Sequence, residues 1–322
     1  MKKSAKIYVA GHLGLVGSAL VRCLRTSGYC NLLLRTRAEL DLTSQRDTAD
    51  FMLREKPDYI FMAAAKVGGI CANHEFPAEF IYENLMIEAN IIHSAWSAGL
   101  DRLLFMGSSC IYPRDCPQPI REEYLLTGPL EKTNESYALA KIAGLKMCES
   151  YNRQYGTSYV AVMPTNLYGP NDNYDLAASH VLPALLRKAH EAKKAKAREM
   201  AVWGTGSPRR EFLHVDDLAQ ASLFLMEHEE IKDGLFNVGT GRDISIRELA
   251  VMIAGITGFS GEIVFEPSKP DGTPRKLLDV EKISRLGWQA AIGLPEGLAA
   301  VYQDYLAVEN KNTGKQETYD VV

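Results

Sequence analysis

A glycine-rich turn between an apolar run and an amphipathic stretch limits most strongly what this chain can fold into. Residues 7–10 are apolar, Gly11, Gly14 and Gly17 follow in the pattern G-x-x-G-x-x-G, and apolar residues then recur at helical spacing from Leu15. Glycines at a strand-to-helix turn let the backbone approach an anion at the positively polarised N-terminus of the helix. An ordinary strand-to-helix turn is the alternative. The context predicts a phosphate-binding turn that opens a dinucleotide site.

The rest of the N-terminal half repeats this alternation of short apolar runs and longer amphipathic stretches, which is typical of β-α units in a parallel sheet. The predicted strands are residues 7–10, 31–34, 59–65, 102–107 and 159–164. The predicted helices begin at Leu15 or cover residues 40–53, 77–98 and 134–155. This order predicts an α/β fold with a doubly wound parallel sheet of the Rossmann type.

The sequence changes character after Pro164, where turn-rich stretches separate the periodic ones. Helices are predicted at residues 179–198, 215–226 and 246–256, a further strand of the first sheet at 235–238, and another strand at 262–266. We expect a dinucleotide-binding domain of residues 1–167 and 212–238, interleaved with a smaller α/β substrate domain of residues 168–211 and 239–322. The polar residues 310–322 are expected to be frayed.

Composition excludes several classes of protein. The 322 residues are 46% hydrophobic and 24% charged, which is globular composition, and a net charge of −4 gives no basic field for nucleic acid. No run of 18 apolar residues occurs, so we expect no membrane span. The six cysteines form no C-x-x-C pair and come without an export signal, which favours free thiols in the cytoplasm. The cysteines and histidines do not have the spacing of zinc ligands, so we expect no metal.

Two arginines stand where an NAD site carries a carboxylate for the ribose hydroxyl. Arg35 and Arg37 follow the second predicted strand. Guanidinium groups suit a 2′-phosphate, to which they donate charge-assisted hydrogen bonds. The alternatives are a solvated arginine pair and a pair with Glu39. The arginines therefore predict NADP(H) as the cofactor.

Tyr137 and Lys141 lie four residues apart on a predicted helix, so their side chains share a face. A nearby ammonium favours the phenolate and lowers the pKa of a tyrosine, which then exchanges a proton with a substrate oxygen near neutral pH. About one Y-x-x-x-K is expected by chance in such a chain, so its setting decides. The pair follows a strand that ends at Gly107-Ser108, and such sheets bind ligands at the carboxyl ends of their strands. The Ser108 hydroxyl is placed to bond the same oxygen as Tyr137.

Several longer strings carry a resemblance to a known family. They are Ala-Ala-Lys-Val-Gly-Gly at 64–69, Gly-Ser-Ser-Cys-Ile-Tyr-Pro at 107–113, Met-Pro-Thr-Asn-Leu-Tyr-Gly-Pro at 163–170, Arg-Glu-Phe-Leu-His-Val-Asp-Asp at 210–217 and Lys-Pro-Asp-Gly-Thr-Pro-Arg-Lys at 269–276. With the N-terminal glycines and Y-x-x-x-K, the chain resembles the GDP-L-fucose synthases, a branch of the extended short-chain dehydrogenase/reductase family. The resemblance runs from residue 6 to about 306, and the string at 107–113 is its most specific part.

The resemblance implies a bifunctional epimerase and reductase. Such enzymes take GDP-4-keto-6-deoxy-D-mannose, invert C3 and C5, and reduce the C4 ketone with NADPH to give GDP-L-fucose. Family members are commonly homodimers, joined through helices that correspond to residues 77–98 and 134–155. One alternative is another nucleotide-sugar enzyme of the superfamily, a 4-epimerase or a 4,6-dehydratase, which recycles tightly held NAD. A non-catalytic dinucleotide sensor is the other.

The resemblance also implies roles for individual residues. The expected catalytic residues are Ser108, Cys110, Tyr137, Lys141 and His180. Among them, Cys110 matches the base and His180 the acid of epimerisation; the alternatives are a small buried hydrophobe for Cys110 and a helix cap or surface residue for His180. The expected cofactor-binding residues are Gly11, Gly14, Leu15, Val16, Gly17, Arg35, Arg37, Tyr137, Lys141, Pro164, Thr165, Asn166, Leu167 and His180.

The GDP-sugar is expected to meet four residues, Lys188, Trp203, Arg210 and Asp271. An arginine that answers a diphosphate and an indole that covers a ring face are reasonable roles. A place in the core of the smaller domain is the alternative for Trp203, and plain surface charge is the alternative for Lys188.

Overall fold

The structure is a computed structural model that describes residues 1–176, 179–228, 230–269 and 271–316. Its strands are β1 (Ile7–Ala10), β2 (Leu32–Leu33), β3 (Tyr59–Met62), β4 (Arg102–Met106), β5 (Ser158–Pro164), β6 (Asn166–Tyr168), β7 (Glu199–Trp203), β8 (Arg209–His214), β9 (Gly234–Val238), β10 (Asp243–Ser245), β11 (Glu262–Glu266) and β12 (Arg275–Lys276). Its helices are α1 (Leu15–Thr26), α2 (Gln45–Glu55), α3 (Ile70–Glu75), α4 (Pro77–Ser97), α5 (Glu135–Tyr155), α6 (Val181–Lys194), α7 (Val215–Glu227), α8 (Ile246–Thr257), α9 (Glu281–Arg285) and α10 (Leu294–Gln316).

A parallel sheet of six strands, in the order β2-β1-β3-β4-β5-β9, forms the centre of the fold. Its strands are buried on both faces: Val9 belongs to the hydrophobic cluster that contains α1 and α7, whereas its neighbour Tyr8 belongs to the one that contains α2, α4 and α5. The chain leaves β1 towards one edge of the sheet and leaves β3 towards the other, so the strand order reverses between them. This reversal confirms the predicted doubly wound Rossmann-type sheet and opens a crevice at the carboxyl ends of the strands.

The remaining strands form two smaller sheets. β8 pairs with β6, β10 and β12, and β11 pairs in parallel with β7, which confirms the strand predicted at 262–266. A separate hydrophobic cluster fills the space between β7, α6, α8 and α10. The predicted domain boundaries at 167/168, 211/212 and 238/239 remain a prediction.

Several predicted ends shift for local reasons. β3 stops at Met62 rather than at residue 65 because its register with β1 ends at Ala10 and Met62. The Ala63 amide makes the last bond to β1, donating to the carbonyl oxygen of Ala10. The helix expected from residue 40 begins only at Gln45, since the Ser44 hydroxyl caps it by accepting from the Asp47 amide at 3.3 Å.

The expectation of a frayed C-terminal segment is wrong for residues 310–316, which continue α10 to Gln316. Residues 317–322 lie outside the described residues. Among the described residues, no helix has both the length and the apolar composition needed to cross a membrane.

The glycine turn after β1 is folded tightly onto itself. A Cβ on Gly17 would lie 2.0 Å from the carbonyl oxygen of Gly11, and one on Gly11, whose φ is +79°, would lie 2.7 Å from the Cα atom of Ala64. At Gly14, by contrast, the nearest such atom is 3.6 Å away, an ordinary contact. The sequence motif therefore has a packing requirement at two of its three glycines that is independent of any ligand.

We predict that Gly17→Ala lowers the free energy of unfolding of the ligand-free protein by at least about 2 kcal/mol, because backbone atoms cannot move aside as a flexible side chain can. The matched control, Gly14→Ala, is expected to cost about 1 kcal/mol or less. Thermal or denaturant unfolding of the two variants measures both effects. Equal losses in the two variants would contradict this description of the turn.

Candidate active site

The end of β4 carries a serine and a cysteine that bond to each other. After Met106 the chain turns through Gly107 into a single 3-10 turn at Ser109–Ile111, which Ser108 caps by accepting from the Cys110 amide at 3.4 Å. The Cys110 thiol also donates to the Ser108 hydroxyl, with 3.0 Å between Sγ and Oγ. Two of the predicted catalytic side chains are thus in contact at the carboxyl edge of the central sheet.

Helix α5 brings Tyr137 and Lys141 to the same edge. Lys141 is buried, with only 2% of its side chain exposed, and its ammonium donates to the carbonyl oxygen of Met106 at 2.9 Å. The Lys141 Nζ atom lies 5.8 Å from the centroid of the Tyr137 ring, and that ring meets Phe80 edge-on at 6.4 Å. The Y-x-x-x-K pair therefore lies beside the end of the strand that carries the serine.

The surroundings of Tyr137 favour the protonated phenol. Burial raises the pKa of Tyr137 well above its ordinary value, and the nearby Cys110 and Glu88 raise it further. The lowering of the phenol pKa expected from Lys141 is therefore wrong, because burial outweighs it. In the ligand-free protein at neutral pH, Tyr137 is equipped to donate a proton.

Cys110 is a buried thiol with cations around it. Burial raises the pKa of Cys110, while the ammonium groups of Lys276 and Lys141 and the hydrogen bond with Ser108 act in the opposite direction. A thiol in such a place is protonated at rest but has the charges nearby that stabilise a thiolate when it takes part in proton transfer.

Lys276 is a residue of this site that the sequence did not single out. It lines a small cavity together with Cys110, Glu131 and Thr273, and burial lowers the pKa of its ammonium. Its strand, β12, has two residues and pairs with β8, which lies far from it in the sequence. The one available signal was its position at the end of the string 269–276.

The backbone that carries Lys276 is fixed from two sides. The Ile120 amide donates to the carbonyl oxygen of Leu277 at 2.7 Å, and the Leu278 amide donates to the carboxylate of Glu211 at 3.0 Å. Glu211 is fully buried and also accepts from the amides of Thr240 and Gly241 at 2.6 and 2.7 Å. One carboxylate thus holds two loops and a strand around the cleft.

The backbone oxygen of Glu211 fixes the segment that follows β5. The Thr165 hydroxyl and the Asn166 amide group donate to it at 3.2 and 2.8 Å. Pro164 is the last residue of β5, and Leu167, in β6, pairs with Leu213 of β8. The predicted cofactor segment 164–167 is therefore a rigid corner between the central sheet and the second one.

His180 directly precedes α6, and its side chain is exposed. It occupies the N-cap position, but its side chain makes no capping hydrogen bond. The surrounding protein and the charge of Lys276 both lower the pKa of His180. The imidazole is consequently neutral at pH 7, with one nitrogen able to donate and the other able to accept.

The four residues expected at the GDP-sugar lie on the side of the second and third sheets. Trp203 is 51% exposed, with the Lys188 and Lys269 ammonium groups each 5.4 Å from its ring centroid, so the alternative that it belongs to the core is wrong. Asp271 accepts from the Thr205 amide at 2.7 Å. Burial lowers the pKa of the half-buried Arg210, and the negative charge of Asp271 acts in the opposite direction.

The start of α1 has the features that a dinucleotide phosphate requires. The amides of Leu15, Val16 and Gly17 belong to the first helical turn, where no intrahelical acceptor exists, and no acidic side chain lies in that turn. Helix N-termini of this kind attract anions. A tight glycine cradle and a free positive helix end therefore fit a pyrophosphate at this place.

The two arginines after β2 each have a carboxylate nearby. Arg35 Nη2 lies 3.7 Å from Glu55, and Arg37 Nη1 lies 3.3 Å from Glu83 with 73% of the Arg37 side chain exposed. The alternative pairing with Glu39 is not formed, since Glu39 accepts from Thr36 instead. Both guanidinium groups flank the end of β2, and Arg37 is the more exposed of the two, although it is paired with Glu83.

Residues 7–239 match the NAD dependent epimerase/dehydratase family, and the chain belongs to this family. The match covers the glycine turn, the strand end with Ser108 and Cys110, the Y-x-x-x-K helix and the corner at 164–167.

Individual relatives within this family have more specific names. The chain is 54% identical to the GDP-L-fucose synthase of Escherichia coli (strain K12) over 317 residues, which cover 96% of this chain and 99% of that protein. It is 56% identical to GDP-L-fucose synthase 1 of Arabidopsis thaliana over 304 residues, or 94% of each chain. The crystal structure of a GDP-L-fucose synthetase from Naegleria fowleri bound to NADP is similar with a TM-score of 0.86 and 28% identity over 97% of both chains.

We predict that Lys276→Met raises the pKa of His180 towards its ordinary value, because a positive charge that disfavours the imidazolium is removed. The imidazole resonances of the ligand-free protein, followed by NMR across pH and assigned with His180→Asn, measure the shift. Lys269→Met is the control, since Lys269 lies over Trp203. An unchanged His180 titration in Lys276→Met would show that the two side chains do not interact.

Proposed function

We propose that this protein is a bifunctional NADP-dependent enzyme, a 3,5-epimerase and 4-reductase that converts GDP-4-keto-6-deoxy-D-mannose to GDP-L-fucose. One observation carries the proposal: a thiol and a hydroxyl in contact at 3.0 Å lie at the same sheet edge as a protonated phenol and its lysine. The named activities of the relatives at 54% and 56% identity support the same conclusion.

The chemistry needs donors aimed at a single oxygen. C3 and C5 of the keto-sugar both lie next to the C4 carbonyl, so loss of a proton from either carbon places negative charge on the C4 oxygen. Ser108 and Tyr137 are the hydroxyl donors proposed for that oxygen, and donors fixed in advance stabilise developing charge most effectively. The same two groups then stabilise the C4 oxygen during reduction, when Tyr137 delivers its proton to it.

Epimerisation also needs a base and an acid near the two faces of the sugar. We assign the base to Cys110, whose thiolate is favoured by the charges of Lys276 and Lys141. We assign the acid to His180. It takes up a proton from solvent, its imidazolium gives that proton to the carbon, and the neutral imidazole is restored; the lowered pKa of His180 makes the imidazolium a readier donor. For each inverted centre, one C–H bond breaks towards the thiolate and one C–H bond forms from the imidazole side.

The cofactor residues proposed are the first turn of α1 with its glycines, the arginines after β2 and the corner at 164–167. Bound NADPH supplies the hydride that reduces the C4 ketone. Gly11, Gly14, Leu15, Val16 and Gly17 would hold the pyrophosphate at the helix end. Arg35 and Arg37 would meet the 2′-phosphate, for which Arg37 must exchange its contact with Glu83.

The nucleotide end of the substrate is assigned to the exposed indole of Trp203 and the cations around it. Lys188 and Arg210 offer positive charge for a diphosphate, and Asp271 anchors the loop after Trp203 through Thr205. An exposed aromatic ring between two lysines is a suitable platform for a planar base.

The experiment that tests the function is incubation of the protein with NADPH and GDP-4-keto-6-deoxy-D-mannose. We expect stoichiometric oxidation of free NADPH and formation of GDP-L-fucose. A 4-epimerase or 4,6-dehydratase would instead be purified with tightly held NAD and leave NADPH unconsumed, and a sensor would consume no cofactor with any sugar nucleotide. The strand end Ser109-Cys110-Ile111 has no acidic pair of the kind a dehydratase needs, which supports the epimerase-reductase.

We propose that the protein acts as a homodimer joined through α4 and α5. An aromatic cluster lies on these helices, with Trp96 stacked on Tyr155 at 4.3 Å and Tyr151 packed edge-on against both rings. Tyr155 and Leu139 on α5 are each 44% exposed, and Tyr82 on α4 is 62% exposed. Apolar side chains left exposed on two adjacent helices favour a partner of the same kind. Sedimentation at several concentrations tests this state.

We also propose a cytoplasmic location. Cys23, Cys30, Cys110, Cys116 and Cys148 are free thiols. The role assigned to Cys110 requires a reduced thiol, and the cytoplasm is the compartment that keeps thiols reduced. Fractionation of cells followed by detection of the protein tests this assignment.

We predict that Tyr137→Phe slows NADPH oxidation by the keto-sugar about 100-fold or more, because the C4 oxygen loses its proton donor while the ring keeps its packing against Phe80. Binding of NADPH itself should change little, which fluorescence titration measures. Tyr124→Phe is the control and should retain parental turnover. Near-normal turnover in Tyr137→Phe would refute the assignment.

We predict that Cys110→Ala suppresses exchange of the C3 and C5 protons with D2O, because the base is lost, while NADPH binding remains intact. Mass spectrometry of the sugar nucleotide after incubation without NADPH measures the exchange. Cys116→Ala, a second cysteine beside the cleft, should exchange like the parent. Full exchange in Cys110→Ala would mean that another group removes the protons.

A further inference from the structure

A fully buried carboxylate lies against the lysine of the active site. Glu88 on α4 is 1% exposed, and its Oε1 atom lies 3.1 Å from Nζ of Lys141. The two helices approach closely at this point: a Cβ on Gly144 would lie 2.4 Å from Glu88 Oε2 and 2.6 Å from the Phe105 ring. The only glycine in α5 therefore leaves room for the Glu88 carboxylate.

Stability does not account for this ion pair. Two charges removed from water lose hydration that their attraction barely restores, and an apolar pair of similar volume is often equally or more stable. Lys141 already has an acceptor in the carbonyl oxygen of Met106 at 2.9 Å. Glu88 offers a second acceptor to the three donors of the ammonium and, beyond that, places a negative charge next to the lysine.

The charges around the pair come from three directions. The titratable groups that the pair acts on are Tyr137 and Cys148 on α5 and Cys110 in the turn after β4. Lys276 on β12 acts on Cys110 from the far side of the cavity. The aromatic rings of Phe105 and Phe80 complete the surroundings without charge.

Within these surroundings the carboxylate and the ammonium have opposite effects. Glu88 raises the pKa of the Tyr137 phenol and of the Cys148 thiol, whereas Lys141 lowers the pKa of Cys148 and of Cys110. Burial also raises the pKa of Glu88 itself, and the ammonium at 3.1 Å opposes this. At the Tyr137 phenol, the charge of Glu88 therefore opposes the effect that the ammonium would have alone.

We propose that Glu88 is a positioning residue that neutralises the buried Lys141 ammonium, so that Tyr137 stays protonated and donates to the C4 oxygen. The proposal rests on the proposed reductive function, since a reductase needs a phenol where an alcohol oxidase needs a phenolate. A lone ammonium beside the tyrosine would favour the phenolate. The ion pair thus biases the site towards ketone reduction.

The test is the pH dependence of NADPH oxidation by the keto-sugar in Glu88→Gln, a nearly isosteric change that removes only the charge. The uncompensated ammonium either promotes ionisation of Tyr137 or loses its own proton more easily. In both cases the loss of activity on the basic side begins at a lower pH than in the parent. We expect the basic limb of the kcat/KM profile to move down by about one pH unit or more. Glu88→Asp keeps the charge and should keep the limb within a few tenths of a unit of its parental position.

A limb that stays at its parental pH in Glu88→Gln overturns the proposal, even if the overall rate falls, because a purely structural role lowers the rate without moving the limb. A limb that moves equally in Glu88→Asp overturns it as well, since the charge is then not responsible.

A second measurement does not depend on activity. Thermal unfolding of Glu88→Gln and of the double variant Glu88→Gln/Lys141→Gln is compared with the parent. We expect the double variant to unfold at a higher temperature than Glu88→Gln, because it buries no unpaired ammonium. A double variant no more stable than the single one contradicts the pairing. If the parent itself fails to oxidise NADPH, the proposed function is wrong, while this comparison still reports on the ion pair.

Discussion

The hydrogen bond from the Lys141 ammonium to the carbonyl oxygen of Met106 ties the reactive helix to the end of the central strand β4. Because Ser108 and Cys110 follow that strand end directly, the bond fixes the distance between the group that carries the phenol and the turn that carries the hydroxyl and the thiol. The carbonyl at the last position of β4 is available because the register with β3 ends one residue earlier, at Phe105 and Met62. The site is therefore built on the most rigid part of the fold, not on a surface loop.

In the proposed mechanism, a single polarised pocket of this kind serves three steps on one sugar. Each step places negative charge on the C4 oxygen, first twice as an enolate and then as an alkoxide. The surroundings act differently on two side chains of the pocket. Lys276 and Lys141 lower the pKa of the Cys110 thiol against the effect of its burial, while burial and Glu88 raise the pKa of the Tyr137 phenol. Both acids are protonated at rest, but nearby cations favour ionisation of the thiol whereas nearby acidic groups oppose ionisation of the phenol. Such a difference between neighbouring acids is the physical condition for acid and base chemistry in one site.

The sequence predicted those parts of the fold in which the signal is local. The central strands, α5 and β11 follow from periodicity, and Tyr137 and Lys141 follow from their four-residue spacing on one helix face. Lys276 and Glu88 escaped because they reach the site through tertiary contacts: β12 is only two residues long, and Glu88 is an ordinary-looking acid in the middle of α4. The direction of the Tyr137 pKa shift was predicted wrongly for the same reason, since burial is a property of the packed structure and not of spacing.

The most direct test of the shared pocket is a comparison of two rates in Ser108→Ala, both measured in D2O on GDP-4-keto-6-deoxy-D-mannose. One is deuterium uptake at C3 and C5 without cofactor, and the other is NADPH oxidation by ketone that has already been epimerised. If the serine hydroxyl serves the C4 oxygen in every step, both rates fall by a similar factor of about 100. A loss confined to one rate, with the other at its parental value, would show that the enolates and the alkoxide are stabilised in different places.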